Sequence, residues 1–373
     1  MKEKILYIYP EFSAFIEKDI GFLSHGYKLV TPSHNWSKKW ETPLNFIRQF
    51  IFLSRHLKGS KAVFVMFGGY WSFLPALAGK ISGIPVYIIP GGTDCVSFPS
   101  LNYGSLRKPV MRTFIRWSFQ LCTELLPVDE SLVRSDYSYY EKSDYPEQGY
   151  KYFFPEISTP YRVIYNGFDP DYFDCGTVIK KSGSFIVIAQ VTGMTRVRVK
   201  GIDLVLYLAG QFNSCSFTVI GVSDRVSKQL GSIPANVTLY PFLPRERFVT
   251  YLAESEFVLQ LSVSEGFPNA LCEAMLCRCI PVGSTVGAIP HIIGDTGYLM
   301  NSSQKEYLKE KLTEITVTDI DKRRELGVKA RERIIRNFHI SKREMAFREV
   351  IEGSMDNQPV GGQLEQSDEF RKA

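Results

Sequence analysis

Residues Phe257–Met275 read FVLQLSVSEGFPNALCEAM, and the change of texture inside this stretch decides the fold. Phe257–Leu261 is a short apolar run, the pattern of a strand buried on both faces. Ser264, Glu265, Gly266 and Phe267 form a turn, which Gly266 can bend sharply. Pro268 suits a helix start, where its missing N–H costs nothing, so Asn269–Leu276 is expected to be helical. A strand feeding straight into a helix is half of a βαβ unit in a parallel sheet. The junction also leaves N–H groups near Asn269 pointing out of the strand end. With the helix dipole behind them, they make a cradle for anions and hydroxyls. Glu265 lies on the loop, and Glu273 lies about one and a half turns along the helix. Paired carboxylates beside such a cradle suit the vicinal hydroxyls of a sugar or a ribose. The plain alternative is one acid on an exposed turn and another on a helix surface.

The same texture extends in both directions. Downstream lie a strand at Ile280–Gly283, another at Gly297–Met300, and charged helices over residues 303–353. Upstream, strands are expected at Ser184–Ala189, Ser216–Gly221 and Val237–Leu239, with helices at Gly201–Phe212 and Pro244–Glu254. Before the polar stretch Asp174–Ser184, which reads as a linker, a second alternating series occurs. Its strands are Ile5–Tyr9, Lys28–Thr31, Ala62–Met66, Val86–Pro90, Glu124–Val128 and Arg162–Tyr165, and its helices include Asn45–Leu57 and Pro109–Thr123. These runs are rich in Val, Ile and Tyr without polar alternation, which marks parallel sheets covered on both faces. The expected organisation is therefore two doubly wound α/β domains, over residues 1–173 and 174–353. A polar tail over 354–373 is expected to fray. Two such domains place a ligand cleft between them, at the carboxyl ends of their strands.

Composition narrows the function. A chain of 373 residues with 45% apolar and 22% charged residues is globular, and at roughly 100–200 residues per domain it holds two domains. No apolar run reaches the ~18 residues of a spanning helix. Glu3 and the strand-like start make a poor signal peptide, and the seven cysteines lack paired spacing. Both observations point to a reducing, cytoplasmic setting. A net charge of +5 is too mild for a dedicated nucleic-acid binder, so no nucleic-acid partner is expected. The excess is local. Residues 36–61 carry Lys38, Lys39, Arg48, Arg55, Lys58 and Lys61 against Glu41, and residues 104–118 carry Arg107, Lys108, Arg112 and Arg116 with no acid. Aromatic residues are interleaved there, as in Pro109–Gln120 (PVMRTFIRWSFQ). Such faces either cover the sheet as ordinary amphipathic helices or rest on an anionic membrane surface, here the inner face of the cell membrane.

The motifs together resemble retaining glycosyltransferases of GT-B fold, family 4, the group 1 glycosyltransferases. Ser264–Met275 resembles that family's E-x₇-E signature, and Tyr161–Phe173 (YRVIYNGFDPDYF) its N-G-hydrophobic-D segment. Val199–Leu206 (VKGIDLVL) resembles its K-G-hydrophobic-D helix start, and Val237–Tyr251 another of its stretches. Asn337, Phe338 and Arg343 resemble its closing helix. The resemblance implies two Rossmann-like domains facing across a cleft, the first binding an acceptor and the second a nucleotide sugar. The closing helix would return to the first domain. Hexosyl transfer to a saccharide or lipid-linked acceptor, in cell-surface polysaccharide or glycoconjugate synthesis, is implied. The nucleotide-diphosphate sugar would be a substrate, with no separate cofactor and no metal.

The resemblance also implies residue roles. Glu273 would hold the ribose and Glu265 the transferred sugar. Backbone N–H groups of Gly266, Phe267, Asn269 and Ala270 would hold sugar hydroxyls and diphosphate. Lys200 would hold the diphosphate. The family's partner arginine falls at Thr195 here, so Arg196 takes that role, with Arg198 the second choice. Positive charge aimed at a diphosphate that gains charge on bond breaking stabilises the transition state more than the ground state. Without the family's glutamates beside it, the basic stretch VTGMTRVRVKG would read as a solvated loop. The leaving diphosphate itself would take the acceptor's proton, so no side-chain base is implied.

The first domain departs from the pattern. Pro90-Gly91-Gly92-Thr93-Asp94 has glycines where the family carries a sugar-binding histidine, and Tyr9-Pro10-Glu11-Phe12 lacks its glycine pair. Asp94 is either a contact to a sugar or a helix cap. These departures leave room for a non-catalytic nucleotide-sugar-binding subunit of a glycosyltransferase complex, or for a GT-B epimerase or phosphorylase. Asp169-Pro170-Asp171 spells D-x-D but lies in a domain-junction turn with no ligand cluster beside it. Cys272, Cys277 and Cys279 read as buried small hydrophobes.

Overall fold

The structure is a computed structural model describing residues 2–32, 35–173, 175–176 and 178–353. Its first sheet contains β1 (Lys4–Ile8), β2 (Lys28–Val30), β3 (Ser60–Met66), β4 (Val86–Ile89) and β5 (Glu124–Leu125), in the order β2-β1-β3-β4-β5. Every pairing is parallel. The helices α1 (Ala14–Gly26), α2 (Thr42–His56), α3 (Tyr70–Ser82) and α4 (Pro109–Leu121) are the crossovers. A small antiparallel ribbon, β6 (Ser135–Asp136) with β7 (Glu147–Gln148), and the short α5 (Tyr150–Phe153) follow.

The second sheet is built from β8 (Lys181–Val191), β9 (Ser216–Val222), β10 (Val237–Tyr240), β11 (Ser255–Gln260), β12 (Ile280–Ser284) and β13 (Tyr298–Met300). They lie in the order β10-β9-β8-β11-β12-β13, all parallel. Its helices are α6 (Met194–Val199), α7 (Ile202–Gln211), α8 (Asp224–Ser227), α9 (Arg245–Glu254), α10 (Asn269–Leu276) and α11 (Ile289–Ile293). The chain then runs through α12 (Lys305–Thr316), α13 (Ile320–Phe338) and α14 (Ile340–Glu352). Both sheets are buried through their centres. Phe64 is flanked by Tyr7 and Tyr87 in the first, and Phe185 by Phe217 and Phe257 in the second.

The strand order reverses between β1 and β3 in the first sheet and between β8 and β11 in the second. In open α/β sheets such reversals hold the ligand crevice, because the loops leaving the two strands part there. The loop after β8 leads to Arg196 and Lys200, and the loop after β11 carries Glu265. Both therefore flank one crevice.

Several expectations need correction. Arg162–Tyr165 is not a sixth strand: Tyr161 makes a single bridge to Leu125. Arg162 and Ile164 donate to the carbonyls of Leu125 and Pro127, but Pro127 has no N–H to return, so the ladder and β5 both stop. The basic stretch expected as a loop forms α6, with Val197 and Val199 buried. Within the expected linker, β8 already starts at Lys181, while Asp174 and Thr177 lie outside the described residues. The tail over 354–373 lies outside them too.

The last helix packs on the first sheet. Phe347 stacks on Phe64 and meets Phe22 edge-on, and Tyr87 donates to the Val350 carbonyl. Arg343 is 4% exposed and holds Asp19 through two bonds of 2.7 Å. It also donates to the Ile164 and Tyr165 carbonyls. Arg343, noted in the sequence as part of a closing helix, thus fastens that helix to α1.

Candidate active site

Two loops of the second sheet come together because Gly201 lets them. Gly201 has φ +66°, and a Cβ there would lie 2.2 Å from the Leu261 carbonyl oxygen. With the Val263 N–H donating to the Val199 carbonyl, this approach sets the end of α6 beside the loop after β11. The Lys200 ammonium then donates to Glu265 Oε1 at 2.5 Å. Gln260, 4% exposed at the end of β11, donates to the same oxygen at 2.8 Å and to Ser262 Oγ at 2.7 Å. Both bonds use Oε1, and among the described residues no side chain bonds Oε2. Asn269 and Ala270 open α10 and so have no acceptor within the helix. Phe267 contributes backbone only, since its ring is buried against Phe168 and Phe338.

Glu273 sits on the wall of α10 that faces the first lobe. Its carboxylate lies 3.8 Å from Lys18 Nζ, on α1. Burial raises its pKa above the ordinary glutamate range, against the pull of Lys18 and Arg245. The two acids of the motif thus have different partners: one is tied within its own lobe, and the other looks across the gap.

Arg196 and Arg198 diverge. Arg196 is half-buried, with its guanidinium 5.7 Å from the centre of the Tyr103 ring. Arg198 is exposed, and its charge acts on Tyr140 and Asp203. Tyr103, a first-lobe residue, has its pKa pushed up to about 12 by burial, with Arg196 pulling it down and Glu265 and Asp94 pushing it up. It extends a cluster in which Val96, Phe98 and Leu101 of the first lobe pack on Val199 and Val263 of the second. Tyr137 joins them and donates to the Val263 carbonyl at 2.7 Å.

Asp94 is tied to the backbone of its own lobe. It is 1% exposed and accepts from the backbone N–H groups of Gly68, Gly91 and Gly92, at 2.8, 3.2 and 3.0 Å. With its oxygens accepting from backbone, it shapes the loops after β3 and β4. It is not a helix cap. Those loops include Phe67, held at φ +62°. The glycines at 91 and 92 press directly on the motif: a Cβ on Gly266 would lie 2.0 Å from the Gly91 carbonyl oxygen. The glycines thus set backbone, not a side chain, beside Gly266.

Further contacts cross between the lobes. Asn166 Nδ2 donates to Asn269 Oδ1 at 2.8 Å, and His291 Nδ1 lies 3.2 Å from Asp129 Oδ2. Lys18, Tyr103, Tyr137, Asp129, Asn166 and His291 were not legible as site residues, because only the fold brings them there. Gln260 had a signal, an amide inside the apolar run FVLQL. Asp169 accepts from the Asp171 N–H and forms a turn. Cys272, Cys277 and Cys279 are buried.

Residues 186–333 match the family model of the glycosyl transferases group 1. The N-acetyl-alpha-D-glucosaminyl L-malate synthase of Bacillus anthracis is 36% identical over 93 residues, 24% of this chain and 24% of that protein. The match thus spans about a quarter of that relative's length. Among solved structures, the sucrose-phosphate synthase of Thermosynechococcus elongatus superposes with a TM-score of 0.72 at 12% identity, covering 95% of this chain and 99% of that one. Anabaena HepE, solved in complex with UDP and glucose, gives 0.67 at 14% identity, covering 94% and 100%. At such identities the likeness is one of fold. The chain therefore has the fold of the GT-B glycosyltransferases, and residues 186–333 of its second lobe match the glycosyl transferases group 1.

Proposed function

We propose that this chain is a retaining glycosyltransferase that moves a hexosyl group from a nucleotide-diphosphate sugar to a saccharide or lipid-linked acceptor. It would serve cell-surface polysaccharide or glycoconjugate synthesis, without a metal or a cofactor beyond its donor. In this reading it works in the cytoplasm, at the inner face of the membrane, through the basic-aromatic stretches of its first lobe. The observation that carries the reading is the pair of loops at the second sheet's switch point, where Lys200 and Glu265 meet beside the start of α10. Lys200 and Arg196 take the diphosphate, whose growing charge they stabilise as the sugar–phosphate bond breaks. Glu265 accepts from the transferred sugar and Glu273 from the ribose. The leaving diphosphate takes the acceptor's proton on the face it departs from.

The test is a thermal-shift screen against UDP, GDP and ADP with their sugars, followed by donor hydrolysis by the purified protein. Slow release of nucleoside diphosphate, lost in Lys200→Ala, is expected. Binding without turnover, with or without added acceptor, would instead favour a non-catalytic subunit. The contact of Gly91 with Gly266 motivates that alternative. Conversion of the donor sugar to its epimer would point to an epimerase.

A further inference from the structure

Helix α2 is built inside out. Its inner face carries Asn45, Gln49 and Leu53, all buried. The two amides bond to backbone, Asn45 Nδ2 to the Asn35 carbonyl and Gln49 Nε2 to that of Trp71, each at 2.8 Å. Its outer face is apolar. Leu44, Ile47, Phe50 and Ile51 are 45%, 59%, 65% and 41% exposed, and Trp40, just before the helix, is 78% exposed. Trp40, Leu44, Ile47 and Ile51 follow helical spacing, so they form one stripe along the outside, about 16 Å long. Contiguous exposed apolar surface of this kind marks an interaction site.

The charges around the stripe say what would cover it. Lys38, Arg48, Arg55 and Lys58 are exposed beside it, and among the described residues only Glu41 opposes them, at 3.4 Å from both Lys38 and Arg48. On α4, Val110 and Trp117 are 62% and 43% exposed, near Arg116, which pairs with Glu156. Phe114 touches both Phe46 of α2 and Trp117, so α4 continues the same side of the lobe. A second copy of this chain would bring like charges together, so it does not fit. An anionic lipid leaflet offers apolar depth and negative headgroups at once. No helix among the described residues is long and apolar enough to cross a membrane, so the fit is to a helix lying in the interface.

We infer that the outer face of α2, with Trp40 at its leading end and Trp117 of α4 beside it, docks on an anionic lipid surface. The leading end lies where the loop before α2 is tied to the loop leaving β1, through the Trp36 N–H and the Pro10 carbonyl. That is the carboxyl edge of the first sheet, where the crevice opens. Docking would present this edge to molecules borne in the leaflet. The inference deepens one clause of the functional reading, the membrane contact, and does not depend on the chemistry.

The test uses the full chain with vesicles of phosphatidylcholine alone, or of phosphatidylcholine with phosphatidylglycerol. Cosedimentation only with the anionic vesicles is expected, weakened by salt, with a blue shift of tryptophan emission. Arg55→Ala with Lys58→Ala should weaken binding roughly 25-fold, at about fivefold per basic residue. Ile47→Glu with Ile51→Glu should abolish it. Both pairs are exposed, so unchanged melting and nucleotide binding serve as controls. The inference fails if the anionic vesicles do not bind at low salt, if both vesicle types bind equally, or if the Ile47→Glu/Ile51→Glu variant binds as before. It also fails if that variant dissociates a dimer, which would make the face a self-interface. Binding to polyglutamate but not to vesicles would mark an acidic protein partner instead. Donor turnover in solution is a separate readout, so either proposal can fail without the other.

Discussion

Beyond β11 and β8, the second lobe offers the gap ionised side chains held in fixed geometry: Glu265, Lys200 and Arg196, with Glu273 on the helix wall. Beyond β3 and β4, the first lobe offers mostly backbone, in the glycines at 68, 69, 91 and 92, organised from beneath by Asp94. Asp94 in the first lobe and Glu265 in the second are both largely buried near the gap, but their bonds differ. Asp94 accepts from peptide N–H groups on both oxygens, whereas among the described residues the side chains that bond Glu265 all use Oε1. The difference shows that burial and charge alone do not fix what a carboxylate can still accept. What its hydrogen bonds leave over decides.

The comparison can be broken or sharpened by substitution. The largest effect is expected in the first lobe, on stability. Arg343→Ala leaves Asp19 buried without its partner and should cost about 3–5 kcal/mol in denaturant unfolding. A loss below 1 kcal/mol would show that the first lobe does not rely on the returning helix. Next comes Lys200→Ala, expected to lower donor turnover roughly 10²–10³-fold with little change in melting. If Asp94→Ala lowered turnover as much while leaving the melting temperature untouched, the contrast between the lobes would be wrong.

Glu273→Ala should weaken nucleoside diphosphate binding roughly 10- to 100-fold, as charged hydrogen bonds to the ribose are lost. Calorimetry giving an unchanged affinity would remove the ribose from that residue. The smallest effect concerns pH. Glu273 accepts ribose hydroxyls more strongly when ionised, and burial raises its pKa. Nucleotide affinity should therefore fall on acidification from above the ordinary glutamate range. The stability effect has the opposite sign: a carboxyl with a raised folded pKa favours the folded state as pH drops through that pKa. Lys18→Met removes the nearby positive charge and should move the loss of affinity to higher pH. An unmoved profile would detach Lys18 from Glu273.

The second lobe was the more legible in sequence because its signals are local. The switch from FVLQL to a turn, a proline and a helix lies within a few residues, and so does the spacing of its acids. The first lobe's signals are distant. Asp94 reads as a sugar contact or a helix cap because nothing nearby in sequence shows its oxygens reaching back to Gly68. Lys18 meets Glu273 only after the lobes assemble, and Tyr103 enters the site through a cluster built from both. The arginine choice was half legible: a basic side chain was needed near Thr195, but only the turn of α6 separates half-buried Arg196 from exposed Arg198. Arg162–Tyr165 was over-read, since its apolar pattern hides that Pro127 cannot complete a ladder.

The packing of α14 on the first sheet carries a consequence for biosynthesis. Phe347 completes an aromatic stack begun by Phe64, yet it leaves the ribosome nearly three hundred residues later. The opening half of the nascent chain must therefore wait with Phe22 and Phe64 uncovered while the other half folds around β8 and β11. Chaperone demand should accordingly concentrate on the part of the protein that is made first.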